Sequence, residues 1–315
     1  MLNSVTSLSQ VNTILYYLDQ QSSSLAKLTN EASTGNQIQV PSDNPAGTVS
    51  VMTGNAQVTQ YSAYLSNINN VTNTLNSSVS ALTSVVSILQ QASQLASEGA
   101  NSTTSTTAYE PLAEQVDGLI NQTLTLANTQ FNNQYIYGGT ATGTKPFSVA
   151  TTNSAGLPQT ITYNGAAESG QTVVGANQSV NSTYNGSQVF QSAGGDVFQA
   201  LIGLRDLLRN TNNLSQTQQQ QALSQQIGVL QNAQTSVQTV EGHQSADLQN
   251  LTALQTQVTS LQTATKQQVS DVRTADLPTV LENLTAEENT FQVTLAAAGR
   301  IFDQNLLTFL PPQNL

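Results

Sequence analysis

The chain of 315 residues has no cysteine, no tryptophan and a single histidine. Without thiols there are no disulfides, thiolate metal sites or cysteine nucleophiles. One histidine cannot make a multi-histidine metal centre. Charge is scarce too. Seven Lys and Arg face 18 Asp and Glu, for a formal net charge of −11, and charged residues are 8% of the chain. An ordinary soluble domain carries about 25%. So few cations cannot track a phosphate backbone, which argues against nucleic acid as a partner. No apolar run reaches the roughly 18 residues of a spanning helix, which argues against a membrane. The start, MLNSVTSLSQ, has neither a basic stretch nor an apolar core, so no standard secretory signal is expected.

Uncharged polarity takes the place of charge. Ser, Thr, Asn and Gln total 144 residues, and hydrophobic residues are 37%. This differs from the high-charge signature of disorder. The length allows about two domains.

The strongest pattern is a helical seam. From Tyr61 a 4-3 spacing runs through Leu65, Ile68, Thr72, Leu75, Val79, Leu82, Val86, Leu89, Ser93 and Ala96, the spacing of a heptad. Asn44 before Pro45 is a good N-cap followed by a favoured first residue. Gly99 offers a C-terminal stop. A helix over 45–98 would be about 81 Å long at 1.5 Å per residue, which suits a rod rather than a globule. Gly47 and Gly54 weaken its start. A second helix is expected from Ala108 to Gln134, with Thr107 and Glu110 as a capping box and Leu112, Val116, Leu119, Thr123 and Leu126 as its stripe.

Residues 138–190 change character. Short β-favouring runs at Phe147–Val149, Thr160–Tyr163 and Thr172–Val174 alternate with Asn164-Gly165 and Asn185-Gly186 turns. Helices resume at Asp196, a favoured capping residue, with Val197, Leu201, Leu204 and Leu208 in register. Ser215 and Gln218 open a long helix to about Thr274, with a stripe of Leu223, Ile227, Leu230, Val237, Leu248, Leu251, Val258 and Leu261. Asp276 and Pro278 start another helix.

The two ends mirror each other. One seam reads Leu8, Val11, Leu15, Leu18, Ser22, Leu25, Thr29, Ala32. The other reads Leu277, Leu281, Leu284, Glu288, Phe291, Leu295, Ala298, Phe302, Asn305, Phe309. Each stripe is too narrow for a globular core and suits a partner helix. Such ends are expected to be stable only when paired or assembled.

No catalytic constellation emerges. His243 has no second histidine or nucleophile beside it and reads as a surface residue. Glu287 and Glu288 point apart on a helix. Gly138 to Lys145 resembles a phosphate loop superficially, yet it lacks the adjacent Gly-Lys and a following apolar helix. Asn-x-Ser/Thr sequons, such as those at Asn121 and Asn283, arise by chance in so Ser/Thr-rich a chain. No enzyme activity, cofactor or metal is expected.

Several stretches together resemble a known family. Ala32 to Ile38 runs into Pro41-Ser42-Asp43-Asn44-Pro45-Ala46-Gly47, which is similar to the P-S-D-D-P-A signature of the flagellar hook–filament junction family, FlgL. Leu126-Ala127-Asn128-Thr129, Tyr135-Ile136-Tyr137-Gly138-Gly139-Thr140 and Pro146-Phe147 resemble that family's A-N-T…Y-L-F-G-G-T…P-F stretch. Asp276 to Leu284 and Ala296 to Leu310 resemble its C-terminal pattern, ending in S-L-L-D-[FY]-L. Asn44, Asn36-Gln37 and Thr308 depart from the family by removing charge, and Pro311–Leu315 extends past its usual end.

The resemblance implies a mainly α, long-helix coiled-coil bundle with a small β-rich insertion. Residues 1–40 and 275–315 would be paired terminal helices, 41–137 and 191–274 the long-helix bundle, and 138–190 an outward-facing insertion. It also implies a structural adaptor between a FlgK-type hook-associated protein and the flagellin filament. Such an adaptor assembles as a ring, is held by a FlgN-type chaperone, and is exported unfolded by the flagellar type III system. The expected assembly positions are Leu8, Val11, Leu15, Leu18, Leu25, Leu281, Leu284, Phe291, Leu295, Phe302 and Phe309. The family motif positions are Pro41, Ser42, Asp43, Pro45, Gly138 and Gly139. A filament flagellin is the nearest alternative. A secreted helical-bundle effector or translocator is a more distant one.

Overall fold

The computed structural model describes residues 2–101 and 109–309, with side chains for residue 9, 11–101 and 109–302. Thr107, Ala108 and Pro311–Leu315 lie outside the described residues, as do the side chains of Leu8, Thr308 and Phe309. The elements in chain order are α1 (Leu2–Thr34), α2 (Pro45–Asn101), α3 (Tyr109–Ala127), β1 (Gln130–Phe131), β2 (Gln134–Tyr135), β3 (Phe147–Thr152) and β4 (Pro158–Tyr163). They continue with β5 (Gln171–Gly175), β6 (Gln178–Asn181), α4 (Gly186–Phe190), β7 (Gln191–Ser192), β8 (Gly195–Asp196), α5 (Val197–Leu208), α6 (Gln216–Arg273) and α7 (Leu277–Phe309). The fold is mainly helical, as expected, and the strands form four antiparallel two-stranded hairpins.

The chain divides into two compact units: Met1–Thr59 with Gln262–Leu315, and Gln60–Leu261. In the first, α1 and α7 lie side by side and antiparallel. A backbone bridge stitches the end of α1 to the start of α7: Gln37 N–H donates to the Arg273 carbonyl (2.9 Å), and Ala275 N–H donates to the Gly35 carbonyl (2.8 Å). Gly35 has φ +68°, which glycine adopts without strain at a helix C-terminus.

The second unit holds a continuous apolar core. Leu82, Val85 and Leu89 of α2 meet Val116 and Ile120 of α3, Leu201 and Leu204 of α5, and Leu230 and Val237 of α6. A smaller cluster joins Ile68, Val71 and Leu75 of α2 to Leu251 and Val258 of α6, with Val174 of β5 over them. α2 and α6 run antiparallel here. Thr83 bonds Glu241 (2.7 Å) and Gln255 bonds Asn69 (2.9 Å), so two heptads on each helix separate these contacts.

Several expectations need correction. α2 does not stop at Gly99 but continues to Asn101, and Gly99 is packed so closely that a Cβ would approach Leu208 and Leu223. α3 ends at Ala127, not Gln134. Asn132 and Asn133, both at positive φ, form the turn of the β1–β2 hairpin instead. Asn164-Gly165 follows β4, and Asn185 caps α4 by accepting from Ser187 N–H (2.9 Å). Neither is a hairpin turn. The β5–β6 turn carries Asn177 at φ +60°. Leu261 is exposed rather than part of the α6 stripe.

Other expected caps are present. Gly47 N–H donates to Asn44 Oδ1 (2.8 Å), and Gln199 N–H donates to Asp196 Oδ1 (2.9 Å). Ser215 N–H donates to Gln218 Oε1 (3.1 Å). Glu110 pairs across space with Arg209 (3.0 Å).

Candidate assembly surfaces

The α1–α7 pair is the first candidate surface. Along α1 the half-buried residues include Val11, Ile14, Leu18, Gln21, Leu25, Leu28 and Ala32, with Ser24 and Glu31 half-buried beside Leu25 and Ala32. Along α7 the buried or half-buried ones are Val280, Leu284, Glu287, Phe291, Thr294, Ala298 and Ile301. Both follow heptad spacing. Val11, Leu18 and Leu25, with Leu284 and Phe291, therefore lie on the seam. Leu15, Leu281, Leu295 and Phe302 do not. They stand one residue off it, exposed at 50, 53, 47 and 36%. A heptad has two seam positions, and the apolar pattern puts the second one residue too far along each helix. In α1, Ile14 and Leu28 signal the true phase. In α7 the sequence points the other way, because the inward row of Val280, Glu287, Thr294 and Ile301 is less apolar than the outward row of Leu281, Glu288, Leu295 and Phe302. Tyr16, Tyr17 and Val293 add exposed apolar area on the same two helices.

The Pro41–Gly47 motif builds the loop between α1 and α2. Asp43 Oδ2 accepts the N–H groups of Gln39 and Val40, both at 3.0 Å, and its Oδ1 lies 3.2 Å from Lys27 Nζ of α1. The Val40 and Gln39 N–H groups, helped by Lys27, hold the Asp43 carboxyl below its usual pKa. Gly47 is needed because a Cβ there would collide with Asn44 and Ile38. The uncharged Gln37 also ties this loop down, since its amide donates to the Val272 carbonyl (2.7 Å). Pro41, Ser42 and Pro45 are exposed.

The second glycine motif joins the insertion to the helices of the second unit. Gly139 has φ +61°, and a Cβ there would meet the Ala166 and Glu168 carbonyls. Gly138 packs as closely on Ala141 O. Thr140 N–H donates to Glu168 O, and Gly139 N–H donates to Tyr184 O, both at 2.9 Å. The segment is therefore a turn. Asn128 clamps Phe147 from both sides of its peptide, accepting from its N–H (2.9 Å) and donating to its carbonyl (3.0 Å). Phe147 is fully buried against Tyr163, Phe190 and Phe198.

One charge cluster has no signature in the sequence. Arg205, with no exposed surface, donates to the Pro158 carbonyl of β4 and to Asp206 Oδ1 (2.7 Å), and lies 3.6 Å from Asp117. Arg209 pairs with Asp117 (2.9 Å) and Glu110. Five of the chain's few charges thus meet where α3 packs on α5. Their separation along the chain hides this.

His243 is exposed. Four concavities among the described residues are lined by amides, hydroxyls and apolar residues, Phe131 among them, with no acid or base. Among the described residues no group of three His, Cys, Asp or Glu is placed to hold a metal. No described helix is long and apolar enough to cross a membrane.

Residues 5–142 match the family model of the bacterial flagellin N-terminal helical region. This span takes in α1 from residue 5, α2, α3 and both glycine motifs. Among solved structures, Bacillus cereus FlgL is similar at a TM-score of 0.55 and 17% identity, over 69% of this chain and 97% of that one. The fold is that of the flagellar hook-associated proteins. Hook-associated protein-3 of Legionella pneumophila gives a TM-score of 0.60 at 13% identity, over 70% of this chain and 99% of its own. A candidate hook-associated protein from Vibrio parahaemolyticus gives 0.64 at 16%, over 74% and 100%. Comparison with curated protein sequences gives no match.

Proposed function

We propose that this chain is a structural component of the bacterial flagellum, a FlgL-type junction protein rather than an enzyme. It joins a FlgK-type hook-associated layer to the flagellin filament by assembling with copies of itself as a ring. The observation that carries the reading is the α7 surface. Its more apolar heptad row, Leu281, Leu295 and Phe302, faces away from the α1 seam and remains exposed. Rows of this kind on a solitary chain mark an interaction site. Val11, Leu18, Leu25, Leu284 and Phe291 then hold the pair together, while Leu15, Leu281, Leu295 and Phe302 meet neighbours; Leu8 and Phe309 extend the two seams in sequence.

In this reading residues 1–40 and 275–315 form the inner assembly layer, 41–137 and 191–274 the next shell, and 138–190 the outward insertion. Export proceeds through the flagellar type III system, with a FlgN-type chaperone holding the narrow terminal seams beforehand. The charge-poor composition fits a polymer. Burying hydrogen-bonded amides and hydroxyls costs less than burying ions.

The test is deletion of the gene, followed by electron microscopy of the cells and an assay of flagellin in the medium. Bare hooks with flagellin lost to the medium support the junction role. Bare hooks without secreted flagellin would assign the chain to the filament itself. Normal filaments in a strain with no second copy of the gene would remove the reading.

A further inference from the structure

The α1–α7 pair has two long faces, one on each side of the plane of its two axes. Its seam fixes which residues belong to which face. The seam residues of α1 advance in steps of three and four, and those of α7, read backwards, advance in the same order. The antiparallel Asn36–Thr274 bridge sets the start. The layers therefore run from Ala32 with Val280, through Gln21 with Phe291, to Val11 with Ile301. A residue directly after a seam residue is turned about 100° to one side, and one directly before it about 100° to the other. Because α7 runs the opposite way, the same turn brings residues of both helices to one face.

Leu15, Leu281, Leu295 and Phe302 each follow a seam residue, so they share a face. Tyr17 precedes Leu18 and Val293 precedes Thr294, so these two lie on the other face. Both are exposed, and Tyr16 packs edge-on against Tyr17 with ring centroids 6.0 Å apart. Leu15, Leu295, Tyr17 and Val293 all fall within about 6 Å of one another along the axis. Each face thus carries an exposed apolar patch, and the two patches stand at the same height. The charges divide as well. Over residues 12–33 and 281–302, the leucine face carries Asp19 and Glu288 and no Lys or Arg. The tyrosine face carries Lys27, which pairs with Glu31 and Asp43, and the exposed Arg300.

We propose that the leucine face of one copy packs on the tyrosine face of the next, side by side and with little axial offset. The proposal rests on the ring-forming reading above and names the two surfaces that meet. Two leucine faces brought together would set Asp19 and Glu288 against their own copies, whereas unlike faces set these acids towards cations. The apolar patches carry the contact, and the charges select which face is met. A contact between unlike faces leaves each new copy with one face still open, so it repeats from copy to copy and closes a ring. A contact between like faces would stop at a dimer.

The chain has no cysteine, so introduced thiols report on the contact cleanly. Leu15→Cys with Tyr17→Cys places one thiol on each face, about 200° apart around α1. Flagella isolated from cells carrying this variant are treated with a bis-maleimide. The expected product is a ladder of dimers, trimers and larger species, while each single-cysteine variant stays monomeric. Dimers from a single-cysteine variant, or a double variant that enters flagella and gives no ladder, overturn the proposal. Val293→Asp against Ala296→Asp decides the case in which the cysteine variant is exported but not incorporated. Both residues are exposed, and Ala296 is on the outer side of α7, away from both faces. Val293→Asp should be exported, yet its copies in flagella should fall by about tenfold or more, because the contact would bury an unpaired carboxylate. Ala296→Asp should be incorporated normally. Equal incorporation of the two, whether normal or lost, overturns the proposal. Flagella of the unsubstituted strain that hold no copy of the chain would instead remove the functional reading beneath it.

Discussion

The two units of this chain solve the burial problem differently. Among its described side chains, the first unit buries Ala275, Val280 and Ala298 as its apolar residues, and its seam is otherwise half-buried. The second buries Phe147, Phe190, Phe198, Tyr137 and a row of leucines completely. Both are helical and both use heptads. The second adds a third direction of packing, from α3, α5 and the β hairpins, so each helix is covered on more than one side. In the first, α1 and α7 cover one side of each other and leave Leu15, Leu281, Leu295 and Phe302 in water. A helix pair of that width gains little against the entropy of ordering its backbone. The second unit is packed as a closed core, and the first is a helix pair with one apolar row left uncovered on α7.

The largest expected difference is in stability. Phe147→Ala should cost about 3–5 kcal/mol, because it empties the centre of an aromatic cluster. It should lower the thermal midpoint of the intact chain, read by circular dichroism, and an unchanged midpoint would mean that the cluster is loosely packed. Arg205→Ala should cost about 3 kcal/mol or more by leaving Asp117 and Asp206 without their buried partner. Urea midpoints measure it, and a change under about 0.5 kcal/mol, the range of surface substitutions, would show that the cluster behaves like a surface one.

Leu295→Asp or Phe302→Asp inverts the pattern. Each residue is at least one-third exposed, so the isolated chain should change by less than about 0.5 kcal/mol. Incorporation into flagella should nevertheless be lost while export continues, because assembly would bury an unpaired carboxylate. Export assays and electron microscopy of the same cells separate the two steps, and normal filaments would place that row outside any interface.

Smaller effects sharpen the comparison. Co-assembly should change little up to about 0.5 M salt, since so few charges are available to be screened. Loss of assembly at that salt by a still-folded chain would reveal an ionic interface. Asp43 has a depressed pKa in the folded chain, so its contribution is present above the ordinary carboxylate pKa and disappears as pH falls through the lower folded value. Amide exchange at residues 39–43 should therefore rise on acidification below about pH 4, and Asp43→Asn should remove most of that pH dependence. Equal pH dependence in the variant would assign the effect to another group.

Much of the architecture is legible in the sequence. The α2 stripe from Tyr61 to Ala96 is half-buried or buried at every position, because a 57-residue helix offers many repeats over which the period averages. Caps at Asn44 and Asp196 are equally readable, since capping is a local bond, and Asp276 precedes α7 with its carboxylate accepting from the Thr279 hydroxyl. Short range also explains two misses. Asn132-Asn133 makes a hairpin turn inside what reads as a helix, and Asn164-Gly165 reads as a hairpin turn without being one, because a two-residue signal does not say which strands it joins.

Sequence alone determined helix type, helix starts and the presence of a motif-bearing insertion, all set by bonds within a few residues of one another. Tertiary structure alone decided which of two adjacent heptad rows faces inward. It did so against hydrophobicity on α7, because the inward row is chosen by the partner helix and not by the chain's own pattern. It also decided that Asp117, Glu110, Arg205, Asp206 and Arg209 converge. The acids of α3 are separated by scores of residues from Arg205 of α5 and from Arg209, which caps its C-terminus. Only the packing of one helix against another brings them within reach, and no local rule encodes that distance.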